Sequence, residues 1–175
     1  MNERDDEQNK LSGRRPPLNI ALFEPEIAAN TGAIGRTCVG LGVKLWLIEP
    51  LGFQIDNRKL KRAGLDYWPN LDWEIVPNWA GLKRRLAEAN EIAESELRFF
   101  FFSKRAKRDY DEIEYRLGDV LVFGSESRGL PNSFIEDEER AVRIPIRPQI
   151  RSLNLSVSVA VAAFEARRQL RWKES

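Results

Sequence analysis

Short apolar runs alternate with segments of helical spacing from residue 18 to about residue 171. Unbroken apolar runs are typical of strands buried on both faces, and the four consecutive phenylalanines at 99–102 are the clearest case. Leu82 and Leu86 lie about one helical turn apart, which favours a helix with one apolar face. The pattern predicts strands at residues 18–23, 44–48, 73–76, 98–102, 119–123 and 141–146, and helices at 30–41, 56–65, 79–89 and 153–171.

This alternation predicts the α/β class, with a mainly parallel sheet and helices on both of its faces. No linker or repeat divides residues 18–175, so we expect a single domain there. Residues 1–17 carry four acidic and four basic side chains without apolar periodicity. They are predicted to form a disordered N-terminal tail.

The last predicted helix is unusually apolar. From Leu153 to Phe164 its apolar residues occur on nearly all sides, which is more than a helix packed on one sheet requires. A homodimer interface would cover the additional surface. A central helix inside one domain explains the pattern equally well.

The composition excludes several kinds of chemistry. The chain has no histidine, which removes Ser-His-Asp and Cys-His catalysis and histidine-ligated metals. Its single cysteine, Cys38, cannot form an internal disulfide or a zinc site, so we expect no metal. The net charge is +1, no apolar run reaches 18 residues, and the N-terminus lacks a secretory pattern. A cytoplasmic protein without a membrane span is expected.

A loop with two glycines follows the strand predicted at 119–123. It holds Gly124, Glu126, Arg128 and Gly129. Ligands of α/β proteins bind at the carboxyl ends of strands, and glycine lets a ligand approach the backbone closely. The spacing differs from that of a P-loop, a hydrolase nucleophile elbow and a dinucleotide fingerprint. The loop is therefore predicted to bind another kind of ligand.

Two further polar segments stand at predicted helix starts. Asn30 and Thr31 are N-cap candidates for the first helix, and Ser152 and Asn154 begin the last one. Each segment alone is explained by an ordinary capped helix. Because parallel strands end at one edge of a sheet, we expect the polar residues of the three segments to meet there: Asn30, Arg36, Glu126, Arg128, Ser152 and Asn154.

Basic residues recur in short clusters at 58–62, 83–85, 104–108 and 143–151. In a chain of net charge +1 such clusters require acids concentrated elsewhere, as at residues 136–139. A local positive face suits a phosphate backbone, so we expect contact with nucleic acid. A solvated helix face is the simpler explanation for the cluster at 83–85.

Four stretches of the sequence carry a family resemblance. They read NIALFEPEIAANTGAIGR at 19–36, IEPLGF and RAGLDYW at 48–53 and 62–68, LVFGSESRGLP at 121–131, and RIPIRPQIRSLNLS at 143–156. In this order they strongly resemble the SPOUT superfamily over residues 18–171. The most similar branch is the small, single-domain tRNA (cytidine/uridine-34) 2′-O-methyltransferases.

The resemblance implies a fold and an activity. It implies an α/β sheet with a C-terminal trefoil knot, although general folding rules would exclude a knot. It further implies a homodimer that binds S-adenosyl-L-methionine in the knot. The substrate would be tRNA, modified on the ribose of the wobble nucleotide, notably in leucine acceptors. Two alternatives remain: methylation of another tRNA position or of rRNA, and a non-catalytic tRNA-binding protein.

The resemblance also implies roles for single residues. The loop departs from a common form of the motif, which has Pro and Thr where this chain has Ser125 and Ser127, and residues 147–150 are more basic and bulkier than expected. The resemblance implies catalytic roles for Arg36, Glu126 and Asn154. It implies that the cofactor is bound by Phe102, Ser103, Gly124, Ile144, Ile146, Ser152, Leu153 and Asn154. It implies RNA contacts for Asn30, Arg36, Arg128 and Arg151.

Overall fold

The computed structural model describes residues 16–55 and 67–171. Its strands are β1 (Asn19–Phe23), β2 (Lys44–Ile48), β3 (Trp73–Val76), β4 (Phe99–Phe102), β5 (Arg108–Asp109), β6 (Val120–Phe123) and β7 (Ala141–Arg143). Its α-helices are α1 (Ala28–Leu41), α2 (Trp79–Asn90), α3 (Asn132–Ile135) and α4 (Leu155–Leu170).

The strands form one seven-stranded sheet in the order β3-β2-β1-β6-β4-β7-β5. Every pairing of neighbouring strands is parallel. Strand β6 lies between β1 and β4, and β7 lies on the far side of β4. The predicted α/β class and parallel sheet are confirmed. The trefoil knot stays a prediction with which this strand order is compatible.

Two apolar cores cover the two faces of the sheet. Phe100 and Phe102 pack in the core beneath α1 and α4, whereas Phe99 and Phe101 pack in the core beneath α2 and α3. Successive side chains of a strand point to opposite faces, so one run of phenylalanines serves both cores. The predicted burial of this strand on both faces is confirmed.

Some predicted boundaries were wrong. Helix α1 begins at Ala28 with Ile27 as N-cap, so Asn30 lies inside its first turn and does not cap it. Strand β7 ends at Arg143 rather than at 146, because Pro145 lacks the N–H that a continuing ladder needs. The two-residue β5 and the one-turn α3 were not predicted, since elements so short carry no periodicity. The helix predicted at 56–65 and most of the tail predicted at 1–17 lie outside the described residues.

Helix α4 is buried along one side only. Its buried side, which includes Val159 and Ala163, packs on the sheet and α1. On the other side Val157 and Phe164, seven residues apart, are 46% and 53% exposed. The chain by itself therefore does not enclose α4. Among residues 16–55 and 67–171, none of the helices has both the length and the hydropathy of a membrane span. In the same ranges, no group of three His, Cys, Asp or Glu side chains is placed to hold a metal ion.

Asp119 is a buried carboxylate at the start of β6, with 2% of its side chain exposed. It accepts a hydrogen bond from Arg116 N (2.8 Å) and forms an ion pair with Arg98 Nε (3.0 Å). Burial raises the pKa of Asp119 from 3.8 to about 6, and these two arginines only partly oppose that rise. The folded protein therefore retains this proton at pH values where the unfolded chain has lost it.

The proton retained on Asp119 determines how the stability of the fold changes with pH. As the pH rises from 4 to 6, Asp119 should remove about 1 to 3 kcal/mol from the free energy of unfolding. The loss should be complete above pH 6. Urea unfolding of the wild type and of Asp119→Asn at several pH values should show the difference between the two shrinking or reversing by that amount. A difference that does not change with pH would contradict the assignment.

Candidate functional site

The carboxylate of Glu126 fastens the loop after β6 to the start of α1. It accepts hydrogen bonds from Glu26 N (2.8 Å), Ile27 N (3.3 Å) and Asn30 Nδ2 (2.9 Å). The first N–H groups of a helix have no partner within the helix, and its N-terminus favours negative charge. The cap that the sequence predicted from Asn30 is therefore supplied by Glu126, about 100 residues further along the chain.

The contact between the two loops is reciprocal. Glu26 accepts hydrogen bonds from Ser127 N (2.9 Å) and Ser127 Oγ (2.6 Å). These hydrogen bonds, and the charge of Arg128, hold the pKa of the Glu26 carboxyl below its usual range. Arg128 in turn donates to Glu24 Oε2 at 2.9 Å. The loop after β6 and the segment before α1 thus each supply carboxylates that accept hydrogen bonds from the other.

Asn154 joins the third polar segment to this network. Its Nδ2 donates to Asn30 Oδ1 (3.0 Å), and its Oδ1 accepts from Ser156 N (2.8 Å) as the N-cap of α4. Asn30 thus accepts from Asn154 with one end of its amide and donates to Glu126 with the other. The predicted meeting of the three segments at the sheet edge is confirmed for these side chains.

Close backbone packing explains two glycines of the site. A Cβ on Gly124 would lie 2.1 Å from the carbonyl carbon of Gly129 and 2.2 Å from Leu130 N. Gly129 itself has a φ of +68° and donates to Ser125 O at 2.9 Å. Both positions require glycine for the loop to close on itself, independently of any ligand.

Arg36 lies outside this network. Its guanidinium is stacked over the ring of Tyr67 at 4.9 Å from the centroid, and the Tyr67 hydroxyl donates to Gly32 O. Trp68 packs so near Gly35 that an added Cβ would lie 3.1 Å from its ring. Among the described residues Arg36 forms no hydrogen bond or ion pair with Glu126, Asn30 or Asn154. The segment around Tyr67 therefore fixes Arg36.

The residues expected to bind the cofactor lie at the carboxyl ends of β4, β6 and β7 and in the segment that follows β7. Ser103 N is already paired with Val142 O at 2.9 Å. From 144 to 153 the described structure has one backbone hydrogen bond, from Ile150 N to Arg147 O. Most of this segment is exposed, so its other N–H and C=O groups are accessible to water or to a ligand. The segment therefore fits a nucleoside-like cofactor that bonds to backbone.

Comparison with known families matches residues 17–164 to the SpoU rRNA Methylase family. The chain belongs to this family. One SpoU relative, the tRNA (cytidine(34)-2'-O)-methyltransferase of Burkholderia ambifaria, is 44% identical over 154 residues. The match covers 87% of this chain and 95% of that protein. The predicted family relationship is confirmed.

Two solved structures have a similar fold. A structure that concerns the 2-OH methylation of C/U34 on tRNA has a TM-score of 0.78 and 42% identity, covering 89% of this chain and 97% of that chain. A SpoU methyltransferase from Streptomyces viridochromogenes, in complex with AdoMet, has a TM-score of 0.75 and 21% identity. That match covers 92% of this chain and 63% of the Streptomyces chain, and the two proteins share the same fold.

Sequence reasoning missed three residues of the candidate site. Glu24 and Glu26 flank Pro25 after β1, and their adjacency to a strand end was the available signal. Tyr67 lies in a quoted motif but has no spacing that links it to α1. Arg151 and Ser152, which the sequence selected, are exposed, and their side chains form no hydrogen bond or ion pair with other described residues.

Removing the Glu126 carboxylate should destabilise the fold. Glu126→Ala leaves two backbone N–H groups and the Asn30 amide without their acceptor, so we expect the free energy of unfolding to fall by about 1 to 2 kcal/mol. Glu139→Ala, at an exposed carboxylate in the loop before β7, should change it by less than about 0.5 kcal/mol. Urea titration measures both, and an alanine variant at Glu126 as stable as the wild type would contradict the role.

Proposed function

We propose that the protein transfers a methyl group from S-adenosyl-L-methionine to the ribose 2′-hydroxyl of nucleotide 34, C or U, in tRNA, notably in leucine acceptors. The observation that carries this proposal is the joining of three separated polar segments by Glu126, Asn30 and Asn154 in a member of the SpoU family. The similarity to the Burkholderia enzyme extends over 95% of that protein, which supports the same substrate here.

The cofactor would be held at the carboxyl edge of the sheet, within a trefoil knot. Backbone around Phe102, Ser103 and Gly124 would form one side of the site. S-adenosyl-L-methionine supplies a methyl group on a positively charged sulfur, so the leaving group is already activated. The other side would comprise Ile144, Ile146, Ser152, Leu153 and Asn154, in the segment with unpaired backbone groups.

Because the methyl donor is activated, the protein must align the ribose oxygen and accommodate the loss of its proton. Arginine keeps its proton in proteins and is a poor base. We assign Arg36 to the phosphate next to the target ribose and to stabilisation of the developing alkoxide, with the proton leaving to phosphate or water. Glu126 and Asn154 would position the loops at the carboxyl edge of the sheet.

Replacing Arg36 tests this role. Arg36→Ala should lower kcat by about 100-fold or more, the size found for loss of one charge-stabilising donor, and Arg36→Lys should lose less. The affinity for S-adenosyl-L-methionine should stay unchanged in both variants. Arg84→Ala, at an exposed arginine of α2, is the matched control and should retain full turnover. Near-normal turnover in Arg36→Ala would rule the role out.

We propose that the protein works as a homodimer through α4. The exposed residues Val157 and Phe164 lie on one side of this helix, with the half-buried Val161 between them. An apolar stripe of this kind facing solvent is typical of an interface. Arg128 and Arg151 would then contact the tRNA, beside Asn30 and Arg36.

A charge on this stripe should separate the subunits. In sedimentation velocity at micromolar concentration the wild type should be a dimer and Phe164→Glu a monomer, because burial of the new carboxylate is costly. Leu117→Glu, at another exposed apolar residue, should remain a dimer. A fully active wild-type monomer would refute the proposal.

The substrate is tested by mapping the modified nucleotide. Purified protein, labelled S-adenosyl-L-methionine and total tRNA should yield label on the ribose of nucleotide 34, and rRNA should stay unlabelled. Label at another tRNA position or in rRNA would favour the alternative methyltransferases. Retention of tRNA without label would favour a binding protein. The expected location of this activity is the cytoplasm.

A further inference from the structure

A pocket with a volume of about 410 Å³ opens at the carboxyl edge of the sheet, between the end of β1 and the loop after β6. From β1 the chain proceeds to β2 and β3 on one side, while β6 and β4 lie on the other. In open α/β sheets ligands bind where the strand order reverses in this way. Phe23 and Leu130 contribute apolar walls, and Glu24 and Arg128 contribute charges.

Glu24 has an unusual backbone in this pocket. Its φ is +51°, in the left-handed region that residues other than glycine seldom adopt. Its N–H is held by Ile48 O at 3.0 Å. Residues kept in such conformations cluster at ligand sites. The carboxylate binds Arg128 through Oε2, and no described residue donates to Oε1.

Arg105 braces the part of the pocket formed by the loop after β6. Arg105 donates to Leu130 O at 3.0 Å and to Asn132 Oδ1. Both acceptors belong to residues that line the pocket. Arg128 is 68% exposed and lies beside Glu24 at the rim. Glu24 therefore offers a fixed acceptor, and Arg128 offers a donor beside it.

We propose that this pocket receives the base of the target nucleotide, and that Glu24 accepts from its 4-amino group when that base is cytosine. The inference rests on the proposed function. A carboxylate is the side-chain partner for this amine, and Arg128 beside it can donate to the ring acceptors of the same base edge. Ser125 lines the pocket, and the adjacent Glu126 reaches Asn30 and, through it, Asn154. One loop thus connects the base pocket to the polar network.

The test is a double-mutant cycle that changes both proposed partners, the base of the tRNA and the Glu24 side chain. The substrates are two tRNA transcripts that differ only at position 34, one with cytosine and one with 2-pyrimidinone, which lacks the 4-amino group. The protein variants are wild type and Glu24→Asn, because asparagine tolerates the left-handed conformation but is too short to reach the base. Glu91→Asn is the control, since Glu91 has a φ of +53° at the exposed end of α2.

In the wild type, loss of the amino group should lower kcat/KM by about 10-fold or more. Glu24→Asn should show the same loss with cytosine and no further loss with 2-pyrimidinone. Its affinity for S-adenosyl-L-methionine and its thermal midpoint should match those of Glu91→Asn. The base contact alone would be overturned if Glu24→Asn lowered kcat/KM equally for both transcripts. It would also be overturned if the wild type had the same kcat/KM with and without the amino group. A wild type that methylates neither transcript would refute the proposed function together with this inference.

Discussion

The carboxylate of Glu126 bound to the start of α1 is the contact on which the site depends. It connects two loops about 100 residues apart, at a helix end whose unpaired N–H groups attract negative charge. Through Asn30 it also fixes Asn154, which caps α4. Three segments that the sequence keeps apart are therefore held in one arrangement by hydrogen bonds that each have a defined donor and acceptor.

This arrangement keeps the residues that join the loops apart from Arg36, the residue proposed to stabilise charge. Glu126 and Asn154 are occupied by contacts within the protein, so their proposed part in the reaction is to hold the loops. Arg36 is fixed separately, by the ring of Tyr67 on a different side of α1, and its guanidinium remains exposed. An exposed guanidinium suits the proposed contact with an RNA phosphate, whereas the residues that join the loops are held in place by hydrogen bonds.

The sequence was sufficient for the elements with strong periodicity and for the polar residues at strand ends. It predicted the buried strands, the parallel sheet and the meeting of Asn30, Glu126 and Asn154. It failed where a distant residue decides local structure. Asn30 resembles an N-cap because its side chain suits one, but the acceptor comes from Glu126, and no local pattern encodes that contact. The sequence likewise associated Gly124 with a ligand, but glycine is required there because the backbone of Gly129 packs against it.

Hydrogen exchange tests the central contact most directly. The Glu26 and Ile27 amides lie ahead of α1, where a helix gives them no partner, so only the Glu126 carboxylate explains protection there. In amide exchange followed by NMR, both should be protected in the wild type and exchange freely in Glu126→Ala. The Leu22 amide within β1 should stay protected in both proteins. Free exchange of the Glu26 and Ile27 amides in the wild type would contradict the account.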